Sequence, residues 1–274
     1  MNKYVKIVSF VFAISLFANN LFAQGIYAKI NAGYGLNMSS QNIDYFDCIN
    51  YTIDTVSASY EQANTSLGKG FVVEGAVGYM FNKYVGAELG VSYLLGSKTT
   101  TKQVLYGSIR NNSLSANMLR INPSVVFAVS FDEFDTYAKL GLIIGFGKIM
   151  YEDDYTSSGG IVLTEKMVLN GGLAWGLNAG VGAIYSISKM LSLFGEVNMV
   201  NLSYSPTKGK LTESILNGTN RLPNMTTREK EIDFVDNYST NAAIATTHSE
   251  PRKELKESFP FGSVGINAGI QIKF

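Results

Sequence analysis

The chain has 274 residues, with 22 basic against 22 acidic and a formal net charge of zero. That balance gives no electrostatic case for nucleic acid, which needs a basic surface. The single cysteine, Cys48, excludes an internal disulfide and reads as an ordinary loop or buried thiol.

Residues 1–23 begin with Lys3 and Lys6, run through the apolar stretch Ile7–Phe17 and close on Leu21-Phe22-Ala23. Positive, then apolar, then small is the order of a secretory signal peptide. The apolar core is too short to span a bilayer comfortably, so removal is expected, with cleavage after Ala23 or after Ala18. Loss of Lys3 and Lys6 leaves 20 basic and 22 acidic residues, a net charge of −2. Outside this leader no apolar run reaches the length of a transmembrane helix.

The remainder alternates with a period of two, which sends successive side chains to opposite faces of a strand. Ile26–Leu36 sets Ile26, Ala28, Ile30 and Ala32 against Lys29, Asn31 and Gly33. Phe71–Tyr79 follows, with Glu74 on its polar face, and Val85–Leu95 carries Glu88 in the same way. Asn117–Val129 opposes Leu119, Ile121, Val125 and Phe127 to Arg120, Asn122 and Ser124, although Pro123 interrupts it and predicts a bulge or an unpaired position. Thr136–Phe146 carries Lys139 among glycines, Trp175–Tyr185 has a glycine-rich polar face, and Leu191–Met199 carries Glu196. Gly265–Phe274 is the eighth, with Ile266, Ala268, Ile270, Ile272 and Phe274 on one face.

Connections alternate in length. The links Phe81–Tyr84, Ser130–Asp135 and Ser186–Met190 are short, whereas loops of about 37–68, 96–116, 147–173 and 200–261 are long. Strands oily on one side and joined by alternately short and long links are the pattern of an up-and-down barrel in a bacterial outer membrane, with short turns periplasmic. The fold class expected is therefore all-β, an eight-stranded antiparallel transmembrane β-barrel with four long extracellular loops. A soluble sandwich or lipocalin-like barrel fits less well, because Tyr79, Phe81, Tyr84, Phe127, Phe131, Phe134, Tyr137, Tyr185 and Phe274 gather beside the short turns as an interfacial girdle does. The last loop, with eight basic and eight acidic residues over 205–260, reads as mobile or only partly ordered.

If the apolar face meets lipid, Lys29, Glu74, Glu88, Arg120, Lys139 and Glu196 face inward, three of each sign. Buried charges require partners, and an eight-stranded interior is narrow enough for side chains to fill. An ion-pair network that plugs the lumen is the expectation; a narrow pore lined by the same charges is the alternative.

These strands, the inward charges and the ending Ile270-x-Ile272-x-Phe274 resemble the small OmpA/OmpX-type outer-membrane β-barrel family over essentially all of 24–274. The resemblance implies recognition of a closing strand by the barrel-assembly machinery, a role that falls here on Ala268, Ile270, Ile272 and Phe274. Full-length OmpA carries a peptidoglycan-binding domain after its barrel, and no such segment follows here, so cell-wall anchoring is not implied.

No cofactor is implied. His248, the only histidine, stands beside Ser249 and Glu250 in the last long loop, and adjacent residues do not converge as a catalytic triad. Asp153 and Asp154 read as solvated loop acids rather than a cation site. The sequence-level reading is a non-enzymatic barrel in the outer membrane of a diderm bacterium, with outer-membrane lipid around it. Its loops give it a role in envelope integrity or in contact with a host or surface ligand. A lipid-modifying enzyme is the remote alternative.

Overall fold

The computed structural model describes residues 25–38, 49–63, 66–239 and 248–274. The expected leader and Cys48 lie outside the described residues. In chain order the strands are β1 (Ile26–Asn37), β2 (Ile49–Ile53), β3 (Ala58–Gln62), β4 (Gly70–Met80), β5 (Val85–Gly96), β6 (Thr99–Leu105), β7 (Ser108–Ser130), β8 (Asp135–Thr156) and β9 (Val162–Asn170). They continue as β10 (Ala174–Ser186), β11 (Leu191–Tyr204), β12 (Lys208–Leu216), β13 (Thr219–Asn220), β14 (Glu231–Val235), β15 (Arg252–Leu255), β16 (Phe259–Pro260) and β17 (Ser263–Lys273).

Eight of these form the barrel. Antiparallel pairing runs β1–β4–β5–β7–β8–β10–β11–β17 and returns to β1, so the sheet is closed and leaves no edge within the membrane. The closing ladder joins Tyr27↔Lys273 through Asn37↔Ser263. Lipid-facing side chains such as Ile30, Val77, Leu89, Leu140, Val181 and Ile266 are exposed, as an outward apolar band requires. The lower girdle includes Phe81, Tyr84, Phe127, Phe131, Phe134, Tyr185 and Phe274, all outward; an upper one comprises Tyr34, Phe71, Tyr93, Phe146 and Trp175. Tyr137 belongs to neither: it points into the lumen and is 4% exposed.

Pro123 produces no bulge. Pairing between β7 and β8 stops at Ile121↔Ile144 and resumes at Ser124↔Gly141 in the same register. The ring nitrogen has no proton to donate, so the ladder leaves Asn122 and Pro123 unpaired with β8 and resumes without shifting.

The largest departure from the sequence reading lies above the membrane. Strands β7 and β8 have 23 and 22 residues, about twice the ~9–11 that a tilted crossing needs. Strand β9 continues the sheet on β8, β12 on β9, and β14 on β12, while β6 flanks β7 and β2 and β3 follow it. Residues 205–239 are thus largely built into this sheet and into one turn of helix at Thr227–Lys230, whose Thr226–Glu229 capping box satisfies its first amides. Buried Leu169, Leu211, Ile232 and Phe234 hold the extension together. Two of its hairpins turn through consecutive left-handed residues, Tyr106-Gly107 (φ 47° and 82°) and Asn217-Gly218 (φ 49° and 80°), the geometry that matches the twist of paired strands.

Candidate functional site in the barrel lumen

The inward side chains are stacked in layers. At the periplasmic mouth, Tyr27, Val126, Ala128, Ile184 and Gln271 surround a cavity of about 310 Å³, and Lys273 pairs with Asp135 at 3.5 Å on its rim.

Above it lies a ring of charges. Lys29 Nζ meets Glu88 Oε2 at 2.9 Å, and its ammonium stands 4.3–5.1 Å from the ring centroids of Tyr27, Tyr137 and Phe194, within cation–π range. Lys139 Nζ lies 3.0 Å from Glu196, 3.7 Å from Glu74 and 3.7 Å from Glu88. One ammonium thus serves three carboxylates. The tyrosines complete them: Tyr27 donates to Glu88 at 3.0 Å and Tyr137 to Glu196 at 2.8 Å. Amide groups add Asn122 to Glu74 at 3.0 Å, Asn31 to Glu74 at 3.4 Å and Asn267 to Glu196 at 3.5 Å. These side chains are almost completely withdrawn from water, so each carboxylate needs this many donors to offset its desolvation.

Glycines make the space. A β-carbon at Gly78 would stand 2.1 Å from the Tyr27 ring, and one at Gly182 would stand 2.6 Å from that of Tyr137. Both are cross-strand partners of the tyrosine they receive, so each ring lies flat across a glycine notch. Gly182→Val is expected to drive Tyr137 off Glu196 and destabilise the barrel by about 1–3 kcal/mol, the usual cost of overpacking. The check is the temperature at which the compact gel band is lost; an unchanged temperature would show that the ring has another place to go.

Arg120 is placed differently from the other five sequence-predicted charges. It is 3% exposed, yet none of the lumen ion pairs among the described residues includes it. Its Nε and Nη2 have no hydrogen-bond partner.

The top layer is apolar. Leu94, Met118, Ile143, Val200, Leu202 and Tyr204 turn inward where the sequence pattern promised a polar lining, and all are at most 4% exposed. Two chain segments fold over them as a stopper: Leu67, just before β4, and Phe261, between β16 and β17. Leu67 N donates to Pro260 O at 2.9 Å, Ser66 Oγ to Gly262 O at 2.6 Å, and Phe261 N to Leu202 O at 2.9 Å.

Tyr27, Tyr137, Asn31 and Asn267 were not singled out by charge, but their parity along the strand equals that of Lys29, Lys139 and the polar face of the last strand. Parity alone would have found them. Of the assembly residues, Ala268, Ile270 and Ile272 face lipid on β17 and Phe274 is exposed just past its end; Phe274 N donates to Ile26 O at 3.1 Å, the last bond of the closing seam. His248 lies in an exposed turn before β15, its carbonyl accepting from Arg228 N at 3.3 Å, far in the chain from the barrel wall. Asp153 sits 3.3 Å from Arg110, and Asp154 accepts from Thr164 at 2.7 Å; among the described residues no group of three potential metal ligands is found.

A family model described as the outer membrane protein β-barrel domain matches residues 9–221. No curated protein matches the chain. Among solved structures it is similar to Neisserial surface protein A, at 11% identity over 93% of this chain and 100% of that one, with a TM-score of 0.39. It is also similar to Ail, the attachment invasion locus protein of Yersinia pestis (13% identity, 90% and 98% coverage, TM-score 0.30). CarO of Acinetobacter baumannii is a third (14% identity, 93% and 100% coverage, TM-score 0.34). A closed ring of eight lipid-facing strands and a family match over most of the length agree: this chain resides in the bacterial outer membrane and belongs to the outer membrane protein β-barrel domain family.

Proposed function

We propose that this barrel is a sealed, non-enzymatic mount for an extracellular β-structure that makes surface contacts. The observation that carries the reading is the double closure of the lumen, a charge network below and an apolar stopper above, beneath strands β7 and β8 that continue well past the membrane. A scaffold that holds loops rigidly is the usual way for loops to carry specificity.

The distal surface has the composition of a contact site. Val56 is 94% exposed and Tyr106 62%. Asp54 fixes the β2–β3 turn by accepting from Val56 N and Ser57 N, both at 2.7 Å. Tyr106 N donates to Ile53 O at 3.0 Å and ties the β6–β7 turn to it. Rigid exposed tyrosines give contact area at low entropic cost. Replacing residues 54–57 by a short glycine-serine turn, together with Tyr106→Ser, is expected to abolish binding of whole cells to host or surface ligands while leaving the gel shift of the barrel unchanged. Undiminished binding would remove the surface-contact reading.

The biogenesis that goes with this reading is removal of residues 1–23 on export and delivery of the closing strand to the barrel-assembly machinery. The periplasmic cavity is the one observation that favours a pore instead. Purified protein in planar bilayers is expected to give no conductance steps. Steps that change on Glu74→Gln would establish the narrow pore in place of the sealed mount.

A further inference from the structure

Four hairpins of the outer sheet end at one level. Strand β6 climbs away from the membrane and β2 runs parallel to it; β8 climbs after β7 descends, and β12 climbs against β9. The turns that follow, at 54–57, 106–107, 157–161 and 217–218, therefore all lie at the membrane-distal end. Register sets them side by side. Ile53 is level with Leu105 and Leu105 with Ser108, Ile109 with Thr156, Thr156 with Val162, and Leu163 with Leu216.

Hydrogen bonds tie each turn to the next. Tyr106 N donates to Ile53 O at 3.0 Å and Ser158 N to Ser108 Oγ at 3.1 Å. Asn217 N donates to Val162 O, and Val162 N returns to Asn217 Oδ1, both at 2.8 Å. The result is one continuous crest, eight strands wide from β3 to β13, which at ~4.8 Å between neighbours is roughly 34 Å along the sheet.

Its chemistry differs from that of the rest of the chain. Val56, Leu105, Tyr106, Ile161 and Val162 are all exposed on it. Charged residues make up 16% of the sequence, yet 54–57, 105–108, 156–162 and 216–219 contain only Asp54. That carboxylate is taken up within its own turn, accepting from Val56 N, Ser57 N and Ser57 Oγ.

Exposed apolar groups gathered in this way mark a contact surface, and three properties select the partner. A crest one sheet thick, about 10 Å, has a footprint of roughly 340 Å², well under the ~800 Å² per side of a stable protein interface. The side chains stand on convex turns rather than around a pocket, so they need a medium that closes around them. Tyrosine beside aliphatic groups suits a membrane–water interface, and the lack of lysine and arginine removes the attraction that would favour anionic lipid.

We infer that the crest docks on a zwitterionic lipid bilayer, with Val56, Leu105, Tyr106, Ile161 and Val162 entering its interfacial layer. Strands β7 and β8 hold the crest clear of the barrel's own bilayer, so the bilayer it meets is that of a facing membrane. This rests on the surface-contact reading and names its partner.

The test uses the full protein in phosphatidylcholine nanodiscs, mixed with separate fluorescent phosphatidylcholine vesicles, with empty discs as the control. Loaded discs are expected to co-float with the vesicles, equally at low and high salt and with no gain from added phosphatidylserine. Val56→Asp and Ile161→Asp should each weaken the association by about tenfold or more, the usual worth of burying one such side chain, while the gel shift of the barrel is unchanged. No co-flotation, binding to anionic vesicles alone, or binding that both variants retain would overturn the lipid assignment. Whole-cell attachment separates the two readings. If vesicles are not bound but the replacement of 54–57 with Tyr106→Ser still abolishes attachment, the contact surface stands and its partner is not lipid. If attachment also survives that replacement, both readings fall.

Discussion

Lys139→Met should lower the temperature at which the compact barrel band converts to the unfolded one by roughly 6–20 °C. This follows from a loss of about 3–5 kcal/mol when one partner of a buried ion pair is removed and from the usual shift per kcal/mol for a chain of this size. The reason for choosing this residue is its valence. Among the described residues it alone contacts Glu74, Glu88 and Glu196, and its removal leaves Lys29 as the only ammonium there in contact with any of them. The double variant Lys139→Met with Glu196→Gln should recover part of the loss, because one stranded carboxylate is neutralised. Glu196→Gln alone should cost less than Lys139→Met. Equal transition temperatures for wild type and Lys139→Met would mean that the ring is hydrated and contributes little.

The second large effect is expected at the chain's last residue. Deleting Phe274 should leave most of the protein unassembled, readable as loss of the heat-modifiable band in outer-membrane fractions. Two interactions vanish together: the exposed aromatic at the lower girdle, and the Phe274 N to Ile26 O bond that ends the seam. Phe274→Ala separates them, since it keeps the amide. If Phe274→Ala assembles as well as wild type and only the deletion fails, the backbone bond matters and the aromatic is no signal. Phe274→Tyr should be indistinguishable from wild type under either account.

The eight crossings were legible because lipid and lumen impose opposite demands on alternate residues, and that demand leaves a period of two. The ends of β7 and β8 were not. Their geometric alternation continues without a break, but its chemistry inverts: above the membrane Leu114, Ala116 and Ile149 point in and are buried, while Asn117, Ser113 and Lys148 point out. A reader who follows the apolar face therefore stops at Phe146 and begins at Asn117. The strands of residues 205–239 were hidden for another reason. They are short, polar outside, and held by Leu169, Ile232 and Phe234, which meet only in the folded sheet.

Within the lumen, the inward charges could be named from parity, yet not their pairing. Which of six charges touch depends on the relative height of strands. Register sets Glu74, Ser92, Arg120 and Gly145 side by side on four successive strands, yet Glu74 turns to Lys139 and no ion pair among the described residues includes Arg120.

The inversion of the outward face also acts as a depth gauge. On the long hairpin it falls at one level: Leu119 faces Phe146, and the next outward pair is Asn117 with Lys148. Sinking the barrel by a single outward pair would draw that lysine and asparagine into hydrocarbon, at a cost that rises from about 0–1 kcal/mol at the interface toward 2–4 at the midplane for lysine. Raising it would strand Phe146 and Trp175 in water. The vertical seat of the molecule, and hence the height at which its outer sheet stands above the bilayer, is written into one rung of a ladder.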